Sequence, residues 1–487
     1  MRTKIITTML LAMTVCLCAL SACHENKFGE VDLTIEPEEP EIVDYIGNGL
    51  NHPCMLLTNN DFEYIKQQMA IEGTPQNKAF KWMTRSGNPY AQPGYMPNPV
   101  KYLARMDNTN WGSWNQRWEN IGFDKNDFYE GIVGNYMNFS RDCAASLAQA
   151  ILWKLTGNTA YANTAVNILN AWADKCKGYV VDKNGNFPDP NMNLIALVIY
   201  QMANAAEIMR DYSGWSSSDF AKFKNWMVTV VYPFSQKFLA HEGETCPVHA
   251  WFNWDLANLN ASLAIGILAD DNEIINNAIN YYKFDGEGSG YYLNGIPFVH
   301  KDPDSAEMLS QCQEMGRDQG HTALCVGMLS IFSRTAQNIG GGILEYDNYR
   351  ALGMMEYYAK YTVGSSEVPG NDNKGWKMQG FKYSASQVPY TALTKCTNDG
   401  QKTWPEISYE EKQQGLDTRG TLNPTWELVC RLAKDAGQSA IYSTMIRDVM
   451  RQNANRGNCD GGAGDYGPDS GGFDIFGWGS LLFAKEN

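Results

Sequence analysis

The chain has 487 residues, with 39 basic and 54 acidic side chains and a formal net charge of −15 at pH 7. So acidic a chain argues against nucleic acid as a partner, because phosphate backbones are bound by excess positive charge. The twelve cysteines are scattered and lack the paired spacing of a zinc module, and they indicate no disulfide framework.

Residues 1–22 have the pattern of a secretory signal peptide. Two basic residues precede an apolar run over 5–20, which is too short to span a membrane comfortably. The run ends in Leu-Ser-Ala-Cys, which resembles the lipobox of a bacterial lipoprotein, so we expect cleavage before Cys23 and lipidation of that cysteine. The alternative is an ordinary secretory signal followed by a chance cysteine.

Residues 23–48 are rich in acidic side chains and have almost no apolar periodicity. This composition predicts an extended, self-repelling tether between the lipid and the folded body. We therefore expect a monomer anchored in the cell envelope, in the periplasm or on the outer-membrane surface, with the lipid as its only membrane contact.

Residues 49–487 predict one all-α domain. Apolar residues recur at helical spacing in paired segments, namely 143–155 with 161–172, 194–209 with 220–239, 256–268 with 273–282, and 321–339 with 346–361. Such hairpins are typical of an α-solenoid or of a closed α/α toroid. The long loops over 111–127, 284–316 and 368–417 would form a cleft over one rim of a toroid, which favours the toroid.

Three segments have the chemistry of sugar contacts. Trp111 and Trp114 lie in a polar loop, where indole rings stack on pyranose faces, although a role as core plugs is the alternative. The stretch His249-Ala-Trp-Phe-Asn-Trp-Asp leads into an apolar helix and places polar groups at its N-terminus, which favours anions. For the glycine-rich segment 461–478 we favour a structural role, in which it closes the last helix onto the first.

The stretch from Gln311 to His321 contains the most informative spacing in the chain. Arg317 and His321 are four residues apart, so a helix beginning near Arg317 would place both side chains on one face. A guanidinium beside an imidazole can hold a carboxylate and move a proton next to it. The alternative is a helix start whose polar residues, Asp318 among them, cap the first turn.

Four segments together resemble the alginate lyase superfamily of polysaccharide lyases. They are 253–271, 311–327, 356–361 and 464–473, and the resemblance covers roughly residues 50 to 485. It implies an incomplete α/α toroid that cleaves a uronic acid polymer, such as alginate or glucuronan, by β-elimination.

The resemblance also implies roles for individual residues. Asn253 matches the amide that neutralises the substrate carboxylate, and Arg317 and His321 match the arginine and the histidine one turn later. Two positions depart from the family. Trp254 stands where alginate lyases of this fold have a histidine, and no tyrosine occupies 323–325.

These departures leave the base and the acid open. His321 or His249 is the candidate base, and Tyr292 or Tyr466 is the candidate acid. The candidate substrate-binding residues are Trp254, Trp111, Trp114, Asp318, Gln311 and Tyr466.

The sequence therefore predicts a uronan lyase without a cofactor. No cluster of metal-ligand residues surrounds Arg317 and His321, and the arginine supplies the charge a metal would otherwise give, so activity should survive EDTA. A glycan-binding lipoprotein without catalysis is the second hypothesis, suggested by the lipobox, the fourteen tryptophans and the missing tyrosine. A glycoside hydrolase is the third, and it would need a carboxylate pair, for which Asp318, Asp465 and Asp469 are loose candidates.

Overall fold

The computed structural model describes residues 40, 42–47, 49–105, 135–181, 190–241, 251–285, 287–302, 305, 307–316, 319–363 and 422–485. The helices, in chain order, are α1 (Asn59–Met69), α2 (Pro75–Met83), α3 (Asn135–Thr156), α4 (Thr159–Lys175), α5 (Ile199–Met209), α6 (Ser217–Trp226), α7 (Tyr232–Leu239), α8 (Phe252–Ala269), α9 (Asn272–Phe284), α10 (Tyr292–Gly295), α11 (Gln319–Asn338), α12 (Tyr346–Thr362), α13 (Trp426–Asp435), α14 (Ile441–Met450) and α15 (Gly479–Leu482). The strands are β1 (Tyr102–Leu103), β2 (Gly178–Tyr179), β3 (Phe298–Lys301) and β4 (Met308–Gln311).

Helix contacts run in a circuit around the molecule. Helices α3, α5, α8, α11 and α13 pack side by side, and α15 and α1 complete the circuit between α13 and α3. A second layer lies outside them, with α4 against α3 and α5, α7 and α9 against α8, and α12 and α14 against α11 and α13. The fold is thus all-α, an α/α toroid of helical hairpins whose last gap is bridged by the short α15, as the sequence predicted.

The inner helices run in the same direction, because each hairpin returns the chain through the outer layer. Contacts between the C-terminal ends of neighbouring inner helices show this directly. Arg334 near the end of α11 binds Asp435 at the end of α13 at 3.3 Å, and Arg210 after α5 binds Asp270 after α8 at 3.1 Å. The toroid therefore has one rim made of inner-helix N-termini and an opposite rim made of their C-termini.

The core is apolar and continuous. Helices α5 and α8 are buried on nearly every side, so their sequences read as almost unbroken apolar runs. The stretch Met192–Met209 is long and apolar enough to cross a membrane, but 94% of it is buried inside the toroid, so it is a core segment. Seven cysteines of the described chain are buried and unpaired, as expected for small hydrophobic residues.

The C-terminal glycine-rich segment closes the toroid, which confirms its predicted structural role. Asp465 accepts hydrogen bonds from Arg85 at 2.5 Å and from the indole of Trp82 at 3.0 Å, both in or after α2. A side chain at Gly462 would collide with the ring of Trp478, so this close approach requires glycine.

The segment 284–316 differs from the predicted loop. It contains the short helix α10, the antiparallel hairpin of β3 and β4, and a 3-10 turn at Gln313–Gly316. Strands of four residues give little sequence signal, and this hairpin is held by its packing against α12. Helix α11 begins at Gln319, so His321 lies in its first turn.

Candidate functional site

The N-terminal ends of α8 and α11 meet at one rim of the toroid. The backbone N–H of Phe252, at the start of α8, donates to Oε1 of Gln313 at 2.8 Å. Gln313 begins the 3-10 turn that precedes Arg317. The fold therefore brings the start of α8, which carries Asn253, next to the beginning of the Gln311–His321 stretch.

Asn253 is the most unusual polar residue at this rim. Its side chain is fully buried, and neither its amide nitrogen nor its amide oxygen has a hydrogen-bond partner among the described residues. Leaving a polar group buried and unpaired costs on the order of 1–3 kcal/mol. The residue also lies in the first turn of α8, where the helix dipole is positive. A buried amide in this position is suited to receive a carboxylate.

Unpaired polar atoms continue along the start of α8. The indole N–H of Trp254 has no hydrogen-bond partner in the described chain, and its ring lies 6.3 Å from that of Phe238. One turn later, Asn258 donates to the carbonyl oxygens of Trp254 at 3.0 Å and Asn193 at 3.4 Å, while its own amide oxygen is unpaired. Asn258 was not identified from the sequence, although its spacing of four residues from Trp254 predicts that the two side chains share one helix face.

His321 is partly buried in the first turn of α11. Its position places the imidazole at the rim that carries Asn253. Arg317, Asp318 and His249 lie outside the described residues, as do Trp111, Trp114 and Cys23. The shared helix face of residues 317 and 321 therefore stays a prediction.

Gln311 is buried at the end of β4, beneath the rim. Its amide oxygen accepts from the hydroxyl of Tyr357 in α12 at 3.5 Å. This contact links the hairpin to α12, and Gln311 is too buried to contact a sugar directly in this structure.

The two tyrosines considered as acids differ in their surroundings. Tyr292 lies in an aromatic cluster, with ring centroids 5.0 Å from Tyr291 and 5.0 Å from Tyr346, and burial raises its pKa. The hydroxyl of Tyr466 donates to the backbone oxygen of Asp460 at 2.5 Å, and burial raises its pKa as well. Both phenols therefore stay protonated near neutral pH. Tyr292 is the nearer candidate, because α10 packs against Phe252 beside Asn253.

A buried histidine cluster at the same rim was not found from the sequence. The hydroxyl of Tyr281 lies 2.8 Å from Nε2 of His241 and donates to Asp255 at 2.9 Å. Asp255 also accepts from the backbone N–H of Gly290 at 2.5 Å. These residues lie far apart in the sequence, so no local motif reveals them. The cluster ties the start of α8 to the end of α9 and thereby positions Asn253.

The one metal-ligand cluster within the described ranges lies at the opposite rim. Ligand atoms of His52, Cys54 and Glu207 lie within 4.8 Å of one another. Both ring nitrogens of His52 already contact carboxylates, Glu207 at 2.9 Å and Asp270 at 2.8 Å, and burial holds the pKa of the Cys54 thiol well above its usual value. We assign this cluster a structural role.

The candidate site at this rim therefore consists of a buried amide and an indole at a helix N-terminus, with an imidazole on the neighbouring helix. A family model described as alginate lyase matches residues 94–287, which include Asn253 but end before Arg317 and His321. No curated protein sequence matches the chain.

Solved structures of alginate lyases are similar to this chain. An alginate lyase from Bacteroides ovatus is 12% identical, with 81% of this chain and 94% of that chain covered and a TM-score of 0.48. Alginate lyase A1-III from Sphingomonas species A1 is 15% identical, with 74% and 92% covered and a TM-score of 0.41. A variant of alginate lyase A1-III complexed with a tetrasaccharide is 17% identical, with 61% and 75% covered and a TM-score of 0.39.

Proposed function

We propose that this protein is a polysaccharide lyase that cleaves a uronic-acid-containing polymer, such as alginate or glucuronan, by β-elimination. The observation that carries the proposal is the buried, unpaired amide of Asn253 at the N-terminus of α8, beside the segment that leads to Arg317 and His321. The match of residues 94–287 to the alginate lyase family supports it.

The reaction needs three groups around the uronate. The carboxylate at C6 must be neutralised, so that the proton at C5 becomes acidic enough to be removed. The base takes that proton, the electron pair forms the C4–C5 double bond, and the C4–O4 bond breaks. An acid then protonates O4 of the leaving sugar.

We assign these roles to the following residues. Asn253 and Arg317 neutralise the carboxylate, the amide by hydrogen bonding and the guanidinium by charge. His321 is the first candidate for the base and His249 the second. Tyr292 is the first candidate for the acid, since α10 packs against Phe252 beside Asn253.

The direct test is incubation of the purified protein with alginate, glucuronan and glycosaminoglycans. A lyase produces a 4,5-unsaturated uronate, which appears as new ultraviolet absorbance. Reducing ends without that absorbance would mean hydrolysis and would refute the proposed reaction. Retention in an affinity gel with neither product would mean binding alone.

Two substitutions test the roles. Arg317→Lys should lose most turnover because a lysine cannot replace a bidentate guanidinium. His321→Ala should lower turnover by at least about a hundredfold, the usual scale for a general acid–base group. His52→Gln removes an imidazole from the opposite rim and serves as the matched control. Near-normal turnover in His321→Ala would show that His321 is not the base and would leave His249 as the candidate.

Binding without catalysis is the second candidate function. The presence of Trp254 where related alginate lyases have a histidine favours it, because an indole binds sugars but does not accept a proton. The polymer panel separates this function from the first.

We also propose that Cys23 anchors the protein to a membrane through a lipid. The Leu-Ser-Ala-Cys sequence at the end of the apolar run supports this location. Cys23→Ser should release the protein from the membrane fraction without changing turnover. A Cys23→Ser protein that remains membrane-bound after signal cleavage would refute the anchor.

A further inference from the structure

A polar cavity of about 360 Å³ lies between α13, α14 and the C-terminal residues. Its lining runs along both helices, from Glu427 and Arg447 to Lys434 and Ala440, and it includes none of the residues around Asn253. The cavity is therefore separate from the candidate site described above.

Positive charge dominates its described lining. Two guanidinium groups and two ammonium groups line it, those of Arg431, Arg447, Lys434 and Lys485. The acidic lining residue, Glu427, is buried and bound by Arg451 at 3.0 Å. Three of these cations also pair with acids beside the cavity, Arg431 and Lys485 with Asp435 and Arg447 with Asp448.

The two arginines retain donor capacity. Arg431 donates through Nε to Asp435 at 2.6 Å and through Nη2 to Asp61 at 3.0 Å, which leaves its Nη1 without an acceptor in the described chain. Arg447 donates through Nε and Nη2 to its neighbour Asp448, so its Nη1 also lacks an acceptor among the described residues. Guanidinium groups with open donors are the usual partners of carboxylates and phosphates.

The remaining lining favours a hydroxylated ligand. The amide of Gln438 is exposed and the hydroxyl of Thr444 is partly exposed, and both accept and donate hydrogen bonds. The volume lies at the low end of small-molecule sites, and it suits one or two sugar units better than a bare anion.

We propose that this cavity is a second binding site, which takes the carboxylate and hydroxyl groups of a hexuronate unit. Arg431 and Arg447 bind the carboxylate, and Gln438 and Thr444 bind the hydroxyls. The class of ligand rests on the proposed function, since a uronan lyase would meet uronate ends throughout its work. A site away from Asn253 would hold a chain or a product without blocking cleavage.

Binding is measured by calorimetry on the full-length protein with Asn253→Ala, which weakens the first site. The probes are glucuronate and a mannuronate trisaccharide, with glucose and inorganic phosphate as comparisons. Glucuronate or the trisaccharide should bind at one site, and adding Arg447→Ala should weaken that binding about tenfold, the scale of one lost charge-assisted hydrogen bond. The hydrogen bonds given for Arg447 among the described residues go only to its neighbour Asp448, so its removal breaks no hydrogen bond to another helix and should leave the fold intact.

The matched control is Lys222→Ala, which removes an exposed cation paired with Asp174 elsewhere on the surface and should leave binding unchanged. Unchanged binding in the Arg447→Ala protein would overturn the proposal, as would equal affinity for phosphate or no binding of either uronate. The polymer assay is independent of this measurement. Loss of cleavage in the panel above would refute the lyase, while calorimetry would still report on the cavity.

Discussion

Asn253 is the one amide of α8 whose side-chain nitrogen and oxygen both lack a hydrogen-bond partner among the described residues. Asn260 lies two turns further along the same helix and is equally enclosed, but its amide nitrogen donates to Leu256 at 2.8 Å and to Met328 at 2.9 Å. Asn260 therefore stabilises the contact between α8 and α11. Asn253 makes no such contact among the described residues, and this difference motivates its proposed role in binding the substrate carboxylate.

Replacing Asn253 should separate stability from function. We expect Asn253→Ala to lower turnover on the responsive uronan by about a hundredfold or more, since it removes a group that stabilises developing charge. Its free energy of unfolding should stay the same or rise by up to about 1 kcal/mol, because a buried unpaired group is removed. Urea unfolding and the ultraviolet assay measure the two effects.

The paired control is Asn260→Ala. It breaks two buried hydrogen bonds, so it should lower the free energy of unfolding by about 1–3 kcal/mol and leave the turnover of the folded fraction near normal. Equal destabilisation by both substitutions would show that Asn253 is an ordinary core residue.

At the scale of single residues, the sequence predicted those features that depend only on neighbouring residues in the chain. Asn253 and Trp254 were placed at a helix N-terminus because a polar and aromatic stretch runs directly into an apolar helical run, and α8 begins there. His241 and Tyr281 were missed because only the fold brings them to Asp255. The surroundings of Tyr292 were likewise invisible, since its partner Tyr346 belongs to another helix.

Among the structural elements, the hairpin of β3 and β4 depends on a buried ion pair. Asp302 follows β3 and pairs with Lys360 of α12, and both side chains are fully buried. The hydroxyl of Tyr442 in α14 donates to the same carboxylate at 2.6 Å. The cluster fixes the hairpin, and therefore the stretch after Gln311, against the outer layer.

Breaking this pair from one side should be costly. Lys360→Met leaves Asp302 buried without its cation, so we expect the free energy of unfolding to fall by about 3–5 kcal/mol. The double variant Asp302→Asn with Lys360→Met should recover part of that loss. Chemical denaturation of the two single variants and the double variant measures the coupling. Additive losses would mean that the two residues contribute independently.

A second contact between elements should respond to pH. His52 binds Glu207 of α5 and Asp270 after α8, with Arg210 and Cys54 also nearby. Burial and Arg210 lower the pKa of His52, but the hydrogen bonds and the charge of Glu207 outweigh them and raise it above the usual value.

Because the folded-state pKa is raised, the stabilisation is complete below the unfolded value of about 6.5 and is lost as the pH rises through the folded-state pKa. His52→Gln should therefore lower the melting temperature more at pH 6 than at pH 9. Lys66→Gln, at an exposed ion pair in α1, is the control and should show no such difference. A pH-independent effect of His52→Gln would mean that the imidazole acts by packing alone.

Element by element, the sequence predicted the long helices well and the rim poorly. The paired apolar segments became the hairpins of the toroid because a helical stripe of that length can only be buried against other helices. The predicted helix over 220–239 is α6 and α7 joined by a π-helical turn at Met227–Val231. The hairpin of β3 and β4 was missed because its stability comes from burial against α12 rather than from a local pattern.

At the scale of the whole molecule, the charge opposes the proposed substrate. A net charge of −15 repels a uronan chain at distances beyond the rim, whereas Arg317 attracts its carboxylate only at close range. The two effects have different ranges, so salt separates them. The screening length is about 30 Å at 0.01 M ionic strength and about 10 Å at 0.1 M.

We therefore expect KM for the polymer to fall as ionic strength rises from about 0.01 to 0.1 M, because screening removes the long-range repulsion first. Above that concentration KM should rise again, as salt weakens the contact between Arg317 and the carboxylate. The value of kcat should change little, since salt acts mainly on the approach and binding of the polymer. Steady-state kinetics on the polymer and on a trisaccharide measure the effect, and the trisaccharide should show a smaller fall because it carries fewer charges. A KM that increases steadily from the lowest salt would mean that local cations, and not the net charge, govern the encounter.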